Sequence, residues 1–109
     1  WRPATDAYET DETFVVQMDL AGMDPRGIEV LTDGKTLTVR GIRQDIAPPG
    51  KKHFLKMEIS VGPFVRRLPI PVEVAVESAT ARYRSGFLYV TFRKGRAGQK
   101  SRRQISVDD

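Results

Sequence analysis

The segment TFVVQMDL, residues 13–20, places Phe14, Val16, Met18 and Leu20 on one side and Val15, Gln17 and Asp19 on the other. A period of two is that of a β-strand with one buried face. The same reading extends outward in both directions. AGMDPRG (21–27) punctuates the chain with Gly22, Pro25 and Gly27. IEVLT (28–32) and TLTVRG (36–41) flank Asp33-Gly34, a hairpin signal, with Ile28 and Val30 sharing one face and Leu37 and Val39 another. Towards the C-terminus, FLYVTF (87–92) sets Leu88, Val90 and Phe92 against Phe87, Tyr89 and Thr91, after a tight turn at Ser85-Gly86.

Three further runs complete the count. FLKMEIS (54–60) alternates Leu55, Met57 and Ile59, and FVRRLPI (64–70) alternates Phe64, Arg66, Leu68 and Ile70, with prolines that suit a strand end or edge. VEVAVESATARY (72–83) alternates Val72, Val74 and Val76 against Glu73, Ala75 and Glu77. Seven to eight short strands with frequent turns and no helical period predict an all-β domain, an immunoglobulin-like β-sandwich. Residues 41–53, GIRQDIAPPGKKH, are long for a hairpin loop. The domain is expected to span 1–93, with a flexible basic extension over 94–109 that ends in the apolar pair Ile105 and Val107. Two side chains two residues apart share a face in a strand, so this pair can dock in a groove of its own domain or of another copy.

Composition narrows the function. The 109 residues contain no cysteine and a single histidine, His53. Disulfides, thiolate chemistry and cysteine zinc sites are therefore excluded, and a histidine-rich metal site has nothing to draw on. No acid, base and nucleophile are grouped in a motif, and Gly95 and Gly98 precede no helix, so the chain is read as a non-enzyme without cofactor or metal. No stretch approaches the ~20 apolar residues of a membrane-spanning helix. The net charge of +4 resides in RKGRAGQKSRR (93–103), which holds six basic and no acidic residues; the rest of the chain sums to −2. That segment lacks the interleaved aromatics of a nucleic-acid site, and its role is read as keeping a linker soluble and extended. Asp11-Glu12 and Asp108-Asp109 lack calcium-loop spacing and read as surface charge, and His53 beside two lysines reads as solvated.

Several of these stretches together resemble the α-crystallin domain of the small heat shock proteins, of the bacterial and plant type. ARYRSGFL (81–88), followed by Val90, resembles the family's A-x-x-x-x-G-x-L signature, carried here by Ala81, Gly86 and Leu88. GPFVRRLPIP (62–71), DLAGM (19–23), LTVRGIR (37–43) and ISV (105–107) resemble, in the family's order, its G-x-F-x-R segment, its D-L-P-G turn, its strand ending in G-E-R and its C-terminal I-x-I/V anchor. Ala21 stands where proline is usual and Ile42 where glutamate is common.

The resemblance implies an ATP-independent chaperone of the cytoplasm that holds partly unfolded proteins in solution. It implies a homodimer in which 41–57 and the strand after it cross to a partner's sheet edge, with Arg66, Ile42, Arg43, Ile46 and Phe54 at the interface. Arg66 is expected to pair with acids there, and Arg67 to lie on the surface. Ile105 and Val107 would anchor larger oligomers by docking on a neighbouring dimer. The family carries an apolar N-terminal arm, and a chain that starts at Trp1 is expected to lack most of it and to assemble and hold less well. The partners implied are self and non-native client proteins, with no specific nucleic acid. The competing reading is a β-sandwich adaptor of the co-chaperone type with one dedicated partner; a swapped loop and an I-x-V tail argue against it.

Overall fold

The computed structural model describes residues 1–95 and 103–109. Nine strands are formed among them: β1 (Thr5–Glu9), β2 (Thr13–Asp19), β3 (Ile28–Thr32), β4 (Thr36–Arg43), β5 (Gly62–Pro69), β6 (Val74–Arg84), β7 (Phe87–Lys94), β8 (Arg103–Ile105) and β9 (Val107–Asp108). They make a two-sheet sandwich, one sheet ordered β1-β2-β7-β6-β9 and the other β5-β4-β3-β8. The only helical turn among the described residues is a 3-10 turn at Pro25–Gly27, whose start is capped by the Asp24 carboxylate accepting the Arg26 amide at 3.0 Å.

The inner faces are those the period of two dictates. Phe14, Val16, Met18 and Leu20 meet Leu88, Val90 and Phe92 along β2 and β7, over Val30, Leu37 and Val39 of the opposite sheet, and all are buried. Core burial of this kind contributes about 1.5–3 kcal/mol per large apolar side chain, set against the entropy of ordering it. Val15 is also buried although it lies on the outer face, between Tyr8 and Thr91 in register.

Two tight turns need glycine. Arg84 pairs with Phe87, and the two residues between, Ser85 at φ 51° and Gly86 at φ 83°, both have positive φ, which is the type I′ hairpin geometry. Gly34, at φ 88°, leaves no room for a side chain: a Cβ there would lie 2.7 Å from Val76 Cγ2. The Asp33 carboxylate closes the same turn by accepting the Lys35 and Thr36 amides at 2.9 and 2.8 Å.

The structure departs from the sequence reading in three strands. β1 was not anticipated, because four of its five side chains are exposed and it is held by its ladder to β2 rather than by burial. In β6 the expected alternation fails: Val74, Ala75 and Val76 are all buried, and the register to β7 shifts between Ala75 and Thr80. Past this β-bulge the period resumes with Ala79 and Ala81 inward. Residues 54–60, expected as a strand, form none within the single chain. Leu55 is 99% exposed and Ile59 81%, since among the described residues no neighbouring strand lies alongside to complete the ladder.

Candidate interaction surfaces at the two open sides of the sandwich

The sandwich has two sides where sheet edges end, and the chain treats them differently. On one side the C-terminal segment covers both edges. β8 pairs antiparallel with β3, Val30 opposite Ile105, and β9 pairs parallel with β6, Ala81 opposite Val107. The segment thus changes sheets at Ser106, and alternation drives the two apolar side chains into the seam. Ile105 is 4% exposed and joins the core, and Val107 packs against it partly buried. Ala81, opposite Val107, is itself buried and belongs to the core. Of the two groove choices left open by the sequence, the single chain occupies its own.

On the other side, no described strand lies beyond β1 or β5. Between β4 and β5 runs the long loop, which with the N-terminal residues lines a cleft of ≈ 810 Å³, walled by Trp1, Ile46, Phe54, Met57 and Ile59 among others. Arg43 organises its base. Its Nε donates to the Ser60 carbonyl at 2.8 Å, its Nη1 to the Ala21 carbonyl at 3.1 Å, and its guanidinium lies 4.0 Å from the centre of the Trp1 ring. That stack is a cation–π contact. Trp1 is itself fixed by an Nε1 hydrogen bond to the Gly62 carbonyl at 2.9 Å and an edge contact with Phe64.

Of the five residues expected at an interface, Arg43, Ile46 and Phe54 line this cleft, Arg66 lies on the adjoining inward face of β5, and Ile42 lies on the exposed face of β4, outside the cleft lining. Ile42, Ile46 and Phe54 are exposed apolar side chains. Arg66 lies on the inward face with Phe64, half-buried, and its Nη1 donates to the Pro3 carbonyl at 2.7 Å and to Thr5 Oγ1 at 3.2 Å. Burial, and secondarily the charge of Arg2, hold its guanidinium below the ordinary arginine value. Within the chain its partners are a carbonyl and a hydroxyl rather than carboxylates. Arg67 is exposed, on the opposite face.

The signature residues are structural. Leu88 is core. Gly86 abuts the turn after β2, where a Cβ would lie 3.2 Å from Ala21 Cα, and its carbonyl accepts the Leu20 amide at 2.9 Å. Tyr83 secures the same turn from β6 by donating its hydroxyl to the Leu20 carbonyl at 2.8 Å.

Of the basic segment, Arg96, Lys100 and Arg102 lie outside the described residues. The other three each face an acceptor of this chain: Arg93 lies 3.9 Å from Glu77, Lys94 2.6 Å from Glu9, and Arg103 donates to the Val76 carbonyl at 2.9 Å. Among the described residues no cluster of three or more acidic or histidine side chains is placed to hold a metal, and no helix is long and apolar enough to cross a membrane.

Sequence reasoning missed Trp1 and Arg103. A lone tryptophan at position 1 carried no pattern, and the arginine was absorbed into a charged linker although it stands two residues before Ile105.

Comparison with known proteins adds a family. A model described as "Hsp20/alpha crystallin family" matches residues 6–108. The 18 kDa heat shock protein of Streptomyces albus is 33% identical over 105 residues, spanning 94% of this chain and 70% of that protein. Among solved structures, hspA from Xanthomonas axonopodis superposes with a TM-score of 0.79 at 34% identity, over 90% of this chain and 98% of that one. A small heat-shock protein from Xylella fastidiosa, described as having a distinct high order structure, gives 0.77 at 34% identity over 94% of each chain. This chain spans 62% to 70% of the length of three curated relatives.

Proposed function

The chain belongs to the Hsp20/alpha crystallin family, a family of chaperones rather than enzymes, and from that premise we propose that it is an ATP-independent holdase and the dimeric building block of larger oligomers. The observation that carries the proposal is the row of exposed apolar side chains at Phe54, Leu55, Met57 and Ile59, on a chain whose β1 has no further strand beside it among the described residues. A segment with strand alternation and no ladder partner is matched to a sheet edge of a second copy, which would give both a cover. In this reading 41–57 and the strand character that follows cross to the partner. Ile42, Arg43, Ile46, Phe54 and Arg66 then line the contact, with Arg43 and Trp1 fixing the base of the crossing loop.

On the opposite side, Ile105 and Val107 are the oligomer anchor. A tail that fits its own groove also fits the same groove on another copy, so the linker before it sets which is filled. Tail exchange exposes the seam between the sheets. Partly unfolded proteins present apolar side chains and unpaired backbone, which are the chemistry this seam accepts. Clients are then selected by strand character rather than by sequence, and the compartment proposed for this activity is the cytoplasm.

The test is light scattering from a thermally aggregating client without ATP, with this chain titrated from zero to a few dimers per client. Dose-dependent suppression near stoichiometry is the expected result. A folded chain that leaves the aggregation curve unchanged overturns the holdase assignment for this span.

A further inference from the structure

The bulge in β6 has a consequence for the tail. Where the ladder to β7 is interrupted between Ala75 and Thr80, Ser78 patches part of the gap: its hydroxyl donates to the Ala75 carbonyl at 2.6 Å and accepts the Arg93 amide at 2.7 Å. The carbonyls of Val76 and Ala79 turn to the tail side, and Arg103 Nη1 donates to both, at 2.9 and 3.5 Å, from a part-buried position. Arg103 sits opposite Thr32 at the end of β3, beside the hairpin turn whose Gly34 abuts Val76.

We infer that the groove between β3 and β6 recognises three points rather than two: Ile105, Val107 and the guanidinium of Arg103, which fills a carbonyl socket opened by the β6 bulge. This rests on the reading of the tail as an anchor and specifies what that anchor must contain. Two apolar knobs at a spacing of two do not fix register or direction, because a period-two pattern matches itself after a shift of two and after reversal. A cation two positions before the isoleucine removes both ambiguities, since the socket exists at one end of the groove only. Guanidinium suits it better than ammonium, because a planar fork meets carbonyls of fixed direction and is more weakly hydrated. The segment that fits is therefore Arg-x-Ile-x-Val, supplied by this chain or a second copy of it.

The experiment uses the full chain with Arg103→Ala, Ile105→Gly and Val107→Gly, which empties all three points of the groove, titrated with a peptide of residues 103–109 and with its Arg103→Lys and Arg103→Ala forms. The alanine form is expected to bind about tenfold more weakly than the parent, as loss of a charge-assisted hydrogen bond implies, with lysine between. Equal binding of all three overturns the socket and leaves the anchor standing, as does lysine equal to arginine. Failure of the parent peptide to bind overturns the anchor itself, and the inference with it. If the emptied chain does not fold, amide exchange over Val30–Thr32 in the otherwise intact chain decides: Arg103→Ala is expected to speed it several-fold, and unchanged exchange overturns the socket.

Discussion

Replacing Gly86 by alanine tests the link between the β6–β7 hairpin and the turn that carries the long loop. Gly86 has φ 83°, a conformation that costs an L-residue about 1–2 kcal/mol. Its added Cβ would lie 3.2 Å from Ala21 Cα and 3.4 Å from Ala21 Cβ. The first of these is a backbone atom, so the turn itself must move by a few tenths of an ångström. Overpacking of this size adds about 1 kcal/mol, the low end of its range, because Ala21 is exposed and can retreat. The total expected loss is about 2–3 kcal/mol. Against a whole-domain stability of ~5–15 kcal/mol, that is a large but survivable fraction. Urea unfolding followed by Trp1 fluorescence, at one fixed protein concentration, reads it as a lower midpoint with an unchanged slope. Ser85→Gly is the matched control. It relieves the positive φ at position 85 and touches no packing argument, so it is expected to be neutral or stabilising. A Gly86→Ala loss below about 0.5 kcal/mol would refute both the φ argument and the contact with Ala21.

Other outcomes follow from the two sides of the sandwich. Ile105→Gly with Val107→Gly is expected to lower the solution mass of the assembly, measured by light scattering coupled to size exclusion; an unchanged mass contradicts the anchor. The two side chains contribute ~3 kcal/mol or somewhat more before the cost of ordering the tail, so the tie is reversible, and the loss of domain stability on the same substitution should stay smaller than that gross figure. Arg43→Ala removes the bonds to the Ser60 and Ala21 carbonyls and the stack on Trp1, and should accelerate proteolysis between residues 44 and 61 several-fold; unaltered cleavage would show that the loop base is held by other contacts. Arg66→Ala leaves the Pro3 carbonyl without its donor and is expected to cost about 1–3 kcal/mol, with a shift in Trp1 emission as the N-terminal residues loosen; identical emission and stability would contradict that tie.

What the sequence disclosed tracks one physical signal, the alternation of burial. Phe14 through Leu20 and Leu88 through Phe92 were legible because each strand has one face in the core and one towards solvent. Val74, Ala75 and Val76 were misread because a bulge buries consecutive side chains, and nothing in three small apolar residues distinguishes a bulged strand from a regular one. β1 was silent for the opposite reason, since a strand held by its ladder with its side chains exposed leaves no hydrophobic period. Residues 54–60 carry strand alternation without a strand in the single chain, so local pattern records the propensity and says nothing of whose edge satisfies it. At the tail, Ile105 and Val107 stood out against a polar background. Arg103 did not, because its role depends on carbonyls released by a bulge some 25 residues earlier in the chain.

The proposal stands most directly on whether a second copy completes the open edge beside β1. The chain has no cysteine, so the point can be measured by cross-linking. One preparation carries Ala7→Cys on β1, and a second carries a single cysteine at position 55, 57 or 59. The two are mixed, allowed to exchange and oxidised. The account predicts a covalent dimer formed from one chain of each kind, strongest for one loop position and absent from a mixture denatured before oxidation. No mixed dimer at any of the three positions, from chains that remain folded and associated, would contradict it.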